Sequence, residues 1–135
     1  MSDPDCVFCK IVARELPARM VDQDERTITI MDINPATRGH ALVIPRRHSV
    51  DLLEVEPEDL SATVLAAQRL ALRVNERLAS DGVNLLNCSG PAAWQTVFHF
   101  HLHVIPRYVH DPLRLPWTPT AGESDEMAAA AAELR

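Results

Sequence analysis

Apolar positions change their period along the chain, and the changes mark its elements. Phe8 to Glu15 suits a short helix that Pro17 closes. Ala18–Asp22 and Arg26–Asp32 read as strands, the second rich in β-branched residues and bounded by charge clusters. Ile33 to Gly39 contains Asn34-Pro35 and a glycine, hence a loop, and His40–Arg46 is a third strand with Pro45 marking its end. From Pro57 to Ala79, Leu60, Val64, Ala67, Ala71, Val74 and Leu78 recur at helical spacing and predict one long helix with that stripe on a core. Pro57 suits its first turn, Glu58 and Asp59 its positive end, and Gly82 a C-terminal cap. Val83–Cys88 and Val97–Ile105 complete five strands. Prolines 106, 112, 116 and 119 then predict an extended wrap over 109–135, ending in a thinly apolar helix from Glu123 to Arg135. The fold class is α+β, a five-stranded, mainly antiparallel sheet with one long helix and a short N-terminal one.

Composition narrows the function classes. At 135 residues and 47% hydrophobic, the chain supports one domain, 1–135, with its core at about 6–108. Net charge is −6 with 4% aromatic residues, which excludes a general nucleic-acid binder. No apolar run approaches the roughly 18 residues of a membrane span. Met1-Ser2-Asp3-Pro4-Asp5 lacks the basic start and apolar stretch of a secretion signal, so a cytoplasmic location is expected. Three cysteines do not make a secreted disulfide framework. Cys6-Val7-Phe8-Cys9 is either half of a metal site or a redox pair. A thioredoxin-like pair would follow a strand, and none precedes Cys6. Cys88 reads as a small buried residue.

Histidine use is the strongest chemical signal. Five of the six histidines fall in two places, His40 with His48 and His99 with His101 and His103. On a strand, residues two apart share a face, so the latter three imidazoles should line up about 6.5–7 Å apart. Phe98, Phe100, Leu102 and Val104 would then form the opposite, apolar face. A plain half-exposed strand would rarely select histidine three times running. A metal held by all three is an alternative, since neighbouring imidazoles two apart can share an ion.

The segment Gln95-Thr96-Val97-Phe98-His99-Phe100-His101-Leu102-His103-Val104-Ile105 resembles the signature of the histidine triad (HIT) superfamily. Five further blocks resemble bacterial HIT proteins of the Hint and Fhit kind that carry an N-terminal C-x-x-C. These are Cys6–Val12, Glu15–Pro17, Met31–Pro35, Gly39–Pro45 and Arg47-His48, so the likeness covers Cys6 to Tyr108. It implies a homodimer in which two five-stranded sheets join, and a purine nucleotide substrate cleaved at the α-phosphorus through a covalent nucleotidyl-histidine. An edge that needs covering, and a second helix row of Leu65 and Leu72, agree with pairing.

By that resemblance His101 is the nucleophile, and His103 and His40 contact the phosphate. Asp32 holds the ribose hydroxyls, for which a carboxylate's acceptors suit a cis-diol. Asn87, Gln95 and Thr96 supply polar groups, and Ile11, Ile30 and Ile33 lie beside the base. Cys6, Cys9, His48 and His99 are the implied ligands of a structural zinc ion, with zinc on the triad as the rival arrangement. One stretch departs from the family. Relatives carry a small Gly-rich loop before the glutamine, whereas this chain has Ser89-Gly90-Pro91-Ala92-Ala93-Trp94, with an apparent extra residue and Trp94 where glycine is common. Three activities follow as expectations: hydrolysis of nucleoside phosphoramidates (AMP linked to an amine), hydrolysis of dinucleoside polyphosphates, or nucleotide-binding regulation with little turnover.

Overall fold

The structure is a computed structural model and describes residues 2–135. In chain order the elements are α1 (Val7–Val12), β1 (Met20–Gln23), β2 (Thr27–Met31), β3 (Ala41–Pro45), α2 (Pro57–Arg77), β4 (Gly82–Leu86), a 3-10 turn at Pro91–Ala93, β5 (Leu102–Arg107) and α3 (Ser124–Leu134). The five strands form one antiparallel sheet in the order β1-β2-β3-β5-β4. This is the α+β architecture expected from the sequence.

Both faces of the sheet are covered, which explains why β3 is an unbroken apolar run rather than an alternating one. Ala41 and Val43 pack with Leu102, Val104 and the α2 residues Ala66, Ala67, Leu70 and Val74. Leu42 and Ile44 point the other way, into a second cluster with Ile28, Ile30 and the α1 segment residues Cys6, Phe8 and Cys9. The short N-terminal helix therefore lids one face while α2 fills the other.

The structure departs from the sequence pattern at three places. First, β5 begins at Leu102, not Val97, so His99 and His101 precede the strand. The ladder with β3 ends where Val43 pairs with Leu102, and two positions further along β3 stands Pro45, which has no N–H to donate. Phe100 N–H instead donates to Ser49 O at 2.7 Å. His99 and His101 are also buried rather than displayed, because α1 covers their side, while Phe98 is exposed. Second, α2 is rotated from the stripe read in the sequence. Its buried residues are Asp59, Thr63, Ala66, Ala67, Leu70 and Val74. Val64, Leu65 and Leu72 face outward. Two polar residues on the buried face masked the true stripe. Asp59 accepts from Arg26 Nη1 and Arg47 Nε at 3.1 and 2.8 Å, and Thr63 Oγ1 donates to Asp59 O. Third, Gly82 opens β4, and the left-handed residue after α2 is Ala79, at φ 53°.

Candidate functional site

Gly39 delivers the first site residue. Its φ is 92°, and a Cβ there would stand 2.6 Å from Leu78 Cδ1, so the turn into β3 excludes a side chain. The next residue, His40, is buried, and its Nδ1 accepts the Ala36 N–H at 2.9 Å. A neutral imidazole carries one proton, so that of His40 lies on Nε2. Nε2 is 2.9 Å from His103 Nδ1 and donates to it, which leaves the His103 proton on its outer nitrogen, Nε2. Asp32 completes this corner, with Oδ2 3.4 Å from His40 Nε2 and 3.8 Å from His103 Nδ1, while Oδ1 accepts Asn34 N–H at 2.7 Å.

His101 is held differently. Its Nδ1–H donates to its neighbour's carbonyl, His99 O, at 2.7 Å, so its Nε2 carries the lone pair. The His101 and His103 ring centres are 5.1 Å apart. Asn87 Nδ2 donates to His101 O at 3.0 Å, replacing the strand ladder where it has ended. Asn87 Oδ1 accepts Ser89 Oγ–H, and Ser89 Oγ accepts Leu52 N–H, tying the β3–α2 loop to the same carbonyl. Burial lowers the pKa of all three imidazoles from the ordinary histidine value, His103 to about 4, with the charges of His101 and His40 assisting there. Asp32 opposes the shift in each case. The site thus holds neutral imidazoles in assigned tautomers.

The other expected residues divide. Ile30 is buried beneath the site in the second apolar cluster, and Ile11 packs against that cluster partly exposed. Ile33 is 92% exposed at the loop tip, and Thr96 is exposed as well. The Gln95 side chain is buried and fully engaged: Oε1 accepts Gly90 N–H, and Nε2 donates to Val50 O and Val97 O. It therefore shapes the loop around the triad. Trp94 sits in the left-handed region at φ 73° with its side chain largely exposed, a conformation that glycine would adopt freely. Ser89 and the Ala36 N–H are parts of the site that the sequence pattern did not reveal. Ser89, two residues past Asn87, was the only signal available for either.

His99 belongs to a second constellation. Its Nε2–H donates to Pro45 O at 2.7 Å, so the Nδ1 lone pair faces the N-terminal segment. There it lies 3.3 Å from Cys6 Sγ, 3.5 Å from Cys9 Sγ and 3.2 Å from His48 Nδ1, and Cys9 Sγ is 3.4 Å from His48 Nδ1. A tetrahedral zinc ion, bonded at about 2.1 Å to nitrogen and about 2.3 Å to sulfur, sets neighbouring donors about 3.3–3.8 Å apart. Two sulfurs and two ring nitrogens at these separations fit that ion. Asp32, His40 and His103 also gather three donor atoms within 4.8 Å of one another. Those do not fit a cation, because the His40 lone pair already accepts Ala36 N–H and its other nitrogen carries the proton.

The fold and site define a histidine-triad architecture. The HIT domain family profile matches residues 13–110, and the chain belongs to that family. It is 46% identical over 101 residues to an uncharacterised HIT-like protein of Mycobacterium tuberculosis, covering 75% of this chain and 70% of that one. It is 38% identical over 109 residues to the adenylylsulfatase HINT3 of Arabidopsis thaliana, covering 81% of this chain and 55% of that one. Among solved structures, SMU.412c from Streptococcus mutans superposes with a TM-score of 0.93 at 32% identity, covering 98% and 85% of the two chains. A zinc-bound histidine triad family protein from Mycobacterium smegmatis does so with a TM-score of 0.79 at 45% identity, covering 96% and 95%. At the level of the family, this is a nucleotide-binding hydrolase fold. Among the described residues no helix is long and apolar enough to cross a membrane.

Proposed function

We propose that this protein hydrolyses nucleoside phosphoramidates, AMP joined to an amine, through a nucleotidyl intermediate on His101. One observation carries the reading: the 2.7 Å bond from His101 Nδ1–H to His99 O leaves Nε2 bare and aimed by the backbone. Burial keeps the ring neutral, and a neutral imidazole is a competent nucleophile near pH 7. In the first step Nε2 bonds to the α-phosphorus, the phosphorus–nitrogen bond of the substrate breaks, and the leaving amine takes a proton. His103 Nε2–H is the donor available, held in that tautomer by Ala36 N–H and His40. In the second step a water oxygen bonds to phosphorus and its proton goes to His103 Nε2, replacing the one given to the amine. The phosphorus–nitrogen bond to His101 breaks, and AMP is released with the triad restored. Splitting the displacement lowers each barrier, and fixed donors meet the charge on the phosphoryl oxygens.

Asp32 receives the ribose hydroxyls, Asn87 and Thr96 offer polar contacts, and Gln95 positions the loop. Ile11, Ile30 and Ile33 flank the base through apolar contact, which discriminates poorly between purines. Cys6, Cys9, His48 and His99 would hold zinc, which when bound supplies a cross-link between the N-terminal segment and the triad rather than a reactive centre. The second reading, dinucleoside polyphosphate hydrolysis, keeps the same nucleophile and draws support from Gln95-Thr96-Val97 and Ile105-Pro106-Arg107. The test is turnover of an AMP–amine conjugate against diadenosine polyphosphates. Higher kcat/KM on the conjugate supports the proposal, preference for the polyphosphates favours the second reading, and negligible turnover of both leaves a nucleotide-binding regulator.

A further inference from the structure

The nucleophile and the Cys/His cluster meet at one side chain. Phe8 lies between Cys6 and Cys9 on α1 and is buried. Its ring stands edge-on to His101, with centres 5.0 Å apart and planes at 85°, and edge-on to His99, with centres 5.9 Å apart and planes at 73°. His101 is also held at its Nδ1, by His99 O, at its own carbonyl, by Asn87, and beside the His103 ring, with centres 5.1 Å apart. A hydrogen bond at Nδ1 still lets the imidazole tilt about that contact. A wall against the ring limits this freedom, and Phe8 meets the ring edge-on as such a wall, together with the His103 ring.

We infer that Phe8 is a positioning residue for His101: it braces the ring so that Nε2 keeps its line of attack, and the neighbouring cysteines anchor the brace to His99. The inference rests on the reading of His101 as nucleophile. It also gives the C-x-x-C helix a part in the reaction without placing metal in the chemistry. Cys6 caps α1, its Sγ accepting Cys9 N–H at 3.4 Å, so the helix turn that carries Phe8 is set by the same two residues that face His99.

Phe8→Leu keeps apolar bulk and removes the ring. Val7→Ala, on the exposed side of the same helix, is the control. With zinc content and melting temperature recorded for each, Phe8→Leu is expected to retain zinc and lose kcat about 10- to 100-fold with little change in KM, as misplacement of a reacting group does. Val7→Ala should match the wild type. A rise in KM at unchanged kcat would place Phe8 against the nucleotide and overturn the inference, as would wild-type kcat in folded, zinc-loaded Phe8→Leu. Should that variant not fold, the wild type supplies the reading. A nuclear Overhauser contact between the Phe8 and His101 rings is expected in solution, and its absence overturns the brace. Absence of any His101 adduct in the wild type would instead defeat the proposed reaction itself.

Discussion

A neutral imidazole has one lone pair and one N–H, and where each lies decides what His40, His101 and His103 can do. Ala36 N–H, His99 O and the 2.9 Å His40–His103 contact settle all three. Keeping these rings neutral has a consequence for stability. Burial and neighbouring imidazoles hold His103 at about 4, and burial lowers His40 as well. In the unfolded chain a histidine titrates near about 6.5. Between about 4 and 6.5 the unfolded chain therefore binds more protons, so stability rises with pH through that window, is full above it, and is lost as pH falls. The melting temperature should drop from about pH 7 to about pH 5, and His103→Asn should show a shallower drop. Equal slopes in the two proteins would contradict the assignment. The sequence identified which histidines matter, because three at spacing two are improbable as surface. It could not show that His99 and His101 are buried, since that depends on α1 returning over the sheet from the start of the chain.

The short helix α1 has only 6 residues, too few to persist without tertiary support. Its support is Phe8 in the second apolar cluster and the cysteines against His48 and His99. Cys6→Ala with Cys9→Ala is expected to abolish zinc binding and lower the melting temperature, because metal binding is linked to folding. The His101 adduct should still form, more slowly as the brace loosens. Zinc retained stoichiometrically in the double variant would place the ligands elsewhere. The C-x-x-C was legible as half a site, but its other half comes from positions 39 and 90 residues away, beyond any local spacing rule. The long helix was legible in extent and misread in rotation. Asp59 and Thr63 look like surface residues until Arg26, Arg47 and a backbone carbonyl are found beside them.

Among the described residues, large apolar side chains stand exposed on the long helix and on one edge of the sheet. Val64, Leu65 and Leu72 on α2 are exposed, as is Leu85 on the edge strand β4. An open edge strand and exposed apolar side chains on α2 suit a second copy, and we propose a homodimer joined through β4 and α2. Light scattering should give about twice the chain mass of 15.0 kDa, and Leu72→Glu should return it toward the monomer. A wild-type monomer at micromolar concentration would contradict the pairing. The central claim, however, is the covalent step at His101. Mixing the protein with an AMP–amine conjugate, quenching without acid and weighing the intact chain tests it directly. A nucleotidyl adduct that maps to His101 is expected in the wild type and should be missing, with turnover, in His101→Ala. Turnover at the wild-type rate by His101→Ala, or an adduct on another residue, would contradict it.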